Sequence, residues 1–176
     1  LLVVAIVAWV FMHNRSVAYN AEAWSAAARP FNFGIRFSGP QGTVIQASDY
    51  FNNVAKQYAG TAAGQWAELR SGNVYLLAGS RDIFFNRAVA TENLKKALED
   101  FKKVAEAKPM TPWDQQLAAI GIGQTLETEG KLADAAKIYK KVIEQWPQGM
   151  VAETAQERLR AIEKPEAAWF YDNFAK

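Results

Sequence analysis

Side chains that could take part in chemistry are few in this chain of 176 residues. It has one histidine, His13, and no cysteine, which excludes disulfides and thiolate metal sites and argues against a histidine relay. Acidic residues such as Asp49, Asp82 and Glu127 are present, but no spacing brings two of them into one pocket. The sequence contains no glycine-rich phosphate loop, no metal-spaced set and no GxSxG turn. It therefore predicts that the protein is not an enzyme and uses no cofactor, metal ion or small-molecule substrate.

The charge distribution argues against nucleic acid as a partner. The chain has 20 basic and 18 acidic residues, which leaves a formal net charge of only +2. In its most charge-dense stretch, residues 95–106, lysines are interleaved with acids, and Glu99 and Lys103 have the i, i+4 spacing of a helical ion pair. We expect this stretch to be a solvated helix face.

The N-terminal residues 1–12 read LLVVAIVAWVFM, without a charge or a helix breaker. A membrane span needs about 20 apolar residues, so this run is too short alone. The run stops at the polar sequence HNR, however, and Trp9 lies near that edge. Tryptophan is enriched where a membrane-spanning helix leaves the bilayer. Because the chain does not start with methionine, we expect residues 1–15 to be the C-terminal part of a transmembrane anchor, with residues 1–12 in the lipid bilayer. The alternatives are a secretory signal peptide, since SVA at 16–18 has the form of a cleavage site, and a buried core helix.

Residues 16–44 are expected to form a juxtamembrane helix and an extended connector. Residues 16–29 are alanine-rich and lack glycine, and Pro30 is expected to end their helix. The sequence FNFGIRF at 31–37 then alternates apolar and polar residues, and glycines follow it. Because no second strand is evident to pair with it, we favour an extended connector whose phenylalanines pack on the helical body.

From about Ile45 onward, a helical pattern repeats three times. Each copy has an alanine, an aromatic residue four positions later, a valine three positions after that and a closing position five residues further on. Spacings of four and three put these side chains on one face of a helix, where the alanine admits a neighbouring helix and the aromatic fills the space between repeats. The three copies are Ala47, Phe51, Val54 and Ala59; Ala97, Phe101, Val104 and Pro109; and Ala135, Tyr139, Val142 and Pro147.

Glycine-marked helices precede the second and third copies, with Gly72 before Ala97 and Gly123 before Ala135. The stretch GIGQTLETEGKLADAAKIYKKVIEQWP resembles the tetratricopeptide repeat (TPR), which has a small residue at the helix crossing, a turn glycine, an Ala-x3-aromatic helix and a proline. The second copy departs from this pattern by an insertion at about 81–93, and the first copy keeps only its second helix. The resemblance implies an all-α, TPR-like helical-hairpin solenoid over residues 45–163, following the N-terminal transmembrane helix.

The wider arrangement resembles membrane-anchored periplasmic TPR proteins such as the ancillary TPR subunit of the bacterial Sec translocon. That resemblance implies a single-pass protein of the bacterial inner membrane with its helical domain in the periplasm. It implies a scaffold that binds other proteins, in a translocon, chaperone or complex-assembly role. The alternative is an accessory structural subunit permanently embedded in a large membrane complex.

In this family the first helices of the repeats line a groove that binds partners. The resemblance carries this role onto nine positions: Trp66, Leu69, Asn73, Leu76, Leu117, Ile120, Gln124, Glu127 and Thr128. Their aromatic, aliphatic and amide side chains suit a partly apolar peptide. The alternative is that the N-terminal helices fold back and fill the groove, which would make these residues part of the core.

Two aromatic segments could contact a membrane or a partner. Phe84 and Phe85 lie in the insertion between two arginines, although we favour a second helix lengthened by about three turns, with both phenylalanines packed on residues 18–40. The tail, residues 164–176, contains Trp169, Phe170 and Phe174. We favour a capping helix there, since a terminal repeat must cover its apolar face, over a docking peptide.

Overall fold

The computed structural model describes residues 2–32, 41–107 and 111–174, and these ranges are helical throughout apart from turns and caps. The all-α prediction is therefore confirmed for the described residues. The proposed extended connector lies largely at 33–40, outside them. The eight described helices are α1 (Leu2–Asn32), α2 (Gln41–Gln57), α3 (Ala62–Asp82), α4 (Arg87–Glu106), α5 (Pro112–Thr128), α6 (Leu132–Gln145), α7 (Ala152–Ile162) and α8 (Pro165–Phe174).

Each helix contacts the next one along the chain, as expected for helices joined by short turns. Contacts also join alternate helices, because α1 contacts α3 and α3 contacts α5. Side-chain oxygens cap three of the helix starts: Thr61 accepts from the Gly64 amide, Asn86 from that of Val89 and Thr111 from that of Asp114.

The repeated alanine, aromatic and valine positions form the core, as the spacing predicts. All nine of these side chains are at most 6% exposed. The ring of Phe101, on α4, packs against two glycines on different helices: a Cβ atom would lie 2.9 Å from the ring at Gly72 and 2.6 Å from it at Gly121. A Cβ atom at Gly123 would likewise overlap the ring of Tyr139. Glycine is therefore required wherever α3 and α5 cross these aromatic rings.

The insertion is divided between two helices and does not lengthen only one. Helix α3 ends ten residues beyond Gly72, whereas α5 ends five beyond Gly123. Helix α4 begins ten residues before Ala97, whereas α6 begins three before Ala135. The turn between α3 and α4 leaves Phe85 86% exposed, so the expectation that Phe85 packs on residues 18–40 is wrong, whereas Phe84 is 58% exposed and partly covered.

The expectation that Pro30 ends the first helix is also wrong, because α1 continues to Asn32. Proline has no N–H to donate to the carbonyl of Ala26, four residues earlier. The hydroxyl of Tyr50, on α2, donates to that carbonyl instead, at 2.6 Å. A tertiary hydrogen bond thus replaces the backbone bond that the proline removes.

Helix α1 contacts the helical body from Tyr19 onward, where the Tyr19 hydroxyl donates to the Gln57 carbonyl at 3.0 Å. Residues 4–22 are all exposed, whereas Ala23 and Ala27 are fully buried in the cluster that contains Phe51. The exposed part includes the apolar side chains of residues 4–12. Within the described part of the chain, no helix combines the length and the apolar character that crossing a membrane requires.

Gly121→Ala should destabilise the fold by about 1–2 kcal/mol, although alanine favours a helix by about 1 kcal/mol over glycine. The new methyl group would overlap the Phe101 ring, which is also in close contact with Gly72. Urea denaturation followed by circular dichroism measures the loss. Phe101→Leu in the same variant should recover part of it, and a Gly121→Ala protein as stable as the wild type would contradict the packing argument.

Candidate partner-binding site

The exposed side of α3 forms one continuous strip, which we call the α3 stripe: Trp66, Arg70, Asn73 and Leu77. Spacings of four, three and four place these residues on one helix face. The Arg70 guanidinium lies 4.7 Å from the Trp66 ring centroid, and Asn73 and Leu77 are exposed. Leu77 was missed in the sequence, although its spacing of four from Asn73 is the signal that could have found it.

Helix α1 borders the α3 stripe. The ring of Trp24 lies 6.2 Å from that of Trp66, centroid to centroid, and Trp66 also meets Phe51 edge-on at 6.1 Å. Trp66 is therefore only partly accessible. At the Trp66 end of the α3 stripe, an N-terminal helix covers the surface, as in the alternative expectation. Further along α3, Asn73 and Leu77 remain exposed to solvent.

Two of the predicted groove residues belong to the core. Leu69 packs in the cluster around Phe101, and Ile120 packs in the cluster around Tyr139. Both are buried and offer no accessible surface to a partner. The spacing correctly places them on the first helices but not on an accessible face. Leu76 and Leu117 are partly buried against the Phe101 cluster.

Glu127 is engaged inside the chain. Its Oε2 atom accepts from the Tyr139 hydroxyl at 2.6 Å and from Arg158 Nη1 at 3.2 Å, which links α5 to α6 and α7. Burial, together with this carboxylate, raises the pKa of Tyr139. Glu127 therefore stabilises the fold and is not free to bind a partner. Gln124 and Thr128, on the same helix, are half-buried.

A second surface is a cavity of about 400 Å³, which we call the end cavity. It lies between the α3–α4 turn, the α5–α6 turn and α8, and it brings together three residues predicted separately, Phe84, Thr128 and Phe170. Its cations are Arg87 and Lys131, the latter paired with Glu129 at 2.9 Å. The other lining residues are Ser80, Ile83, Thr91, Leu94, Gly130 and Tyr171.

Two of the other predicted aromatics, Phe85 and Trp169, are not among the described residues that line this cavity. Phe85 and Trp169 are highly exposed, and the side chain of Phe174 lies outside the described residues. On α8, Phe170 meets Tyr171 edge-on at 5.3 Å. Burial raises the pKa of the half-buried Tyr171, with a further contribution from Glu127. Helix α8 thus covers one face of the end cavity while leaving Trp169 in water.

The described residues hold one buried carboxylate group with a strongly raised pKa, that of Asp100 on α4. Burial is the main cause of a pKa of about 6, and the nearby Glu68 carboxylate raises this pKa further. Lys103 contacts Asp100 at 3.2 Å, but it is shared with Glu68 at 2.7 Å. Nowhere in the described ranges do three His, Cys, Asp or Glu side chains come together as metal ligands.

The pKa of Asp100 predicts a pH-dependent stability. Because its folded pKa of about 6 exceeds its ordinary value of 3.8, the folded state binds more protons between these values, and stability from this group falls as pH rises through about 4 to 6. Asp100→Asn removes this dependence. The variant's free energy of unfolding relative to wild type should rise by about 2 kcal/mol between pH 4.5 and pH 7.

Urea denaturation at both pH values makes this measurement. Asp134→Asn is the matched control, because Asp134 is exposed and Lys137 lowers its pKa, so this variant should show no such rise. Parallel pH profiles for wild type and Asp100→Asn would contradict the prediction.

Comparison with known proteins gives this chain no relative. No protein-family model matches it, and neither a curated protein nor a solved structure does. The α3 stripe and the end cavity are therefore interpreted from their own geometry and chemistry.

Proposed function

We propose that this chain is a membrane-tethered scaffold of TPR-like helical hairpins that binds protein partners beside the membrane. The observation that carries the proposal is helix α1, in which an exposed apolar segment is continuous with a segment docked on the helical body. By resemblance we propose the bacterial inner membrane as its site, with the helical domain in the periplasm. We propose no catalytic role.

The repeated packing supports the TPR-like arrangement. Phe101 and Tyr139 occupy equivalent positions on α4 and α6, and each meets a glycine of the preceding helix. Contacts of α3 with α1 and α5 bring alternate helices together, which is typical of stacked hairpins. In this proposal α1 is the first helix that the first sequence repeat lacks, which its contacts with α2 and α3 support.

The geometry of α1 supports a tether of defined length. Its apolar segment ends at Met12, and its first contact with the body is at Tyr19, whose hydroxyl donates to the Gln57 carbonyl at 3.0 Å. The six residues between them span about 9 Å of α-helix. A membrane holding residues 4–12 would keep the helical body at about this distance, with Trp9 near the lipid surface.

The α3 stripe supports protein binding. It combines an aromatic ring, an arginine stacked on that ring, an amide and an exposed leucine, a composition that is enriched in protein interfaces. Such a surface suits an extended peptide or a helix with an apolar face.

A second candidate function is a fixed accessory subunit of a membrane complex. The exposure of Phe85 and Trp169 favours it, because large aromatic side chains in water are typical of surfaces that another chain covers. The two functions predict different contact points, the α3 stripe for partner binding and these aromatics for a fixed subunit.

Membrane attachment is tested by flotation with vesicles of phosphatidylcholine and phosphatidylglycerol. Val7→Glu should reduce vesicle binding at least tenfold, because a charge in the hydrocarbon region costs about 3 kcal/mol. The matched control is Val17→Glu, an identical substitution at a similarly exposed position of α1 beyond the apolar segment, which should float as wild type does. Wild-type protein that stays at the bottom of the gradient would overturn the tether.

Partner binding is tested by photocrosslinking in membranes, with a photoreactive residue at Asn73 or at Phe85. Crosslinks from Asn73 that disappear with Leu77→Arg support binding at the α3 stripe. Lys102, exposed on α4, is the control position for non-specific crosslinking. A silent Asn73 together with one stoichiometric neighbour at Phe85 would instead establish the fixed subunit.

A further inference from the structure

We infer that the end cavity is a docking site for an aromatic, acidic helix, and that the chain's own helix α8 occupies this site until such a partner displaces it. The inference rests on the proposed role in protein binding and assigns it a second surface, distinct from the α3 stripe. The sequence of α8, which already lies at this site, indicates the chemistry that the partner should have.

The body supplies two turns that form the cavity. The α3–α4 turn contributes Ile83 and Phe84, and the α5–α6 turn contributes Gly130 and Lys131. Both turns belong to the same edge of the helical body, and the long α3 and α4 produced by the insertion carry the first of them. Helix α8 closes the remaining side with Phe170 and Tyr171.

The attachment of α8 is weak compared with that of the other helices. Its close backbone contacts are with α7, which precedes it in the chain. A ten-residue helix has little stability by itself, so α8 depends on docking to stay folded. Trp169 remains 69% exposed, so part of the apolar surface of α8 gains nothing from this docking. The exposed residues Glu163 and Lys164 connect it to α7.

The charges of α8 and of the cavity are complementary. The helix sequence PEAAWFYDNF contains two acids and no base. Among the described residues that line the cavity, the charged ones are Arg87, Lys131 and Glu129, which leaves an excess of one positive charge. A partner that replaces α8 should therefore present adjacent aromatic residues on a helix of negative charge.

The covalent link gives α8 a concentration advantage over a free partner. A short flexible link corresponds to an effective concentration of about 1 mM. A helix that binds the open cavity with a dissociation constant of about 100 µM would then appear roughly tenfold weaker towards the intact chain. Weakening α8 should remove this penalty.

The test uses a fluorescent peptide with the sequence of helix α8, residues 165–174, and the full-length chain. Phe170→Ala combined with Tyr171→Ala weakens α8, so this double variant should bind the peptide at least tenfold more tightly than wild type in fluorescence anisotropy. Trp169→Ala, on the exposed side of α8, is the matched control and should bind as wild type does. Adding Phe84→Ala to the double variant should weaken peptide binding at least tenfold.

Three outcomes would overturn the inference. They are equal peptide affinity for wild type and the double variant, no binding to either, and binding that Phe84→Ala leaves unchanged. None of these outcomes would change the results of vesicle flotation or of crosslinking from Asn73, so the proposed function would still stand.

Hydrogen exchange of the wild-type protein is a measurement that needs no variant. The amides of α8 should exchange at least tenfold faster than those of α7. Equal protection of the two helices would show that α8 is not displaced from the end cavity.

Discussion

The packing of aromatic rings against glycines determines how the helices of this protein stack. Phe101 on α4 contacts Gly72 on α3 and Gly121 on α5, so one ring fixes the approach of three helices. Tyr139 on α6 meets Gly123 on α5 in the same way. Because a buried ring excludes even one added methyl group, each crossing has little freedom, and the position of every later helix depends on it. The α3 stripe and the end cavity lie on helices placed by these crossings.

The sequence predicted this core well because its residues recur at spacings that only one helix face satisfies. The nine repeat positions are all buried, and the two glycines used to align the repeats both lie under aromatic rings. Periodicity identifies a face, however, and does not show what covers it. Leu69 and Ile120 were therefore assigned to a groove, although neighbouring helices bury them. Phe84, Thr128 and Phe170 line one cavity, but their separation in sequence gave no sign of this.

Local rules also failed where a distant side chain compensated for them. Pro30 would normally end a helix, yet Tyr50 bonds to the carbonyl that the proline leaves free. Distant side chains also explain why Glu127 and Asp100, two carboxylates inside the fold, have different environments. Glu127 has both Tyr139 and Arg158 as donors, so its charge is compensated. Asp100 must share Lys103 with Glu68, and this buried site with two acids and one cation raises its pKa. Neither difference follows from spacing along the chain.

The two terminal helices limit which parts of the repeat surface can bind anything. Helix α1 approaches one end of the α3 stripe, where Trp24 lies beside Trp66. Helix α8 lies at the far end of α3 and α5, where Tyr171 is close enough to Glu127 for the carboxylate to raise its pKa. Between them, Asn73 and Leu77 remain open to solvent. If α1 is held by a membrane, its end of the stripe is fixed, because the helix is continuous from the apolar segment to the body. Helix α8, in contrast, contacts the body through the turns that line the end cavity, so its release would change the accessible surface at that end.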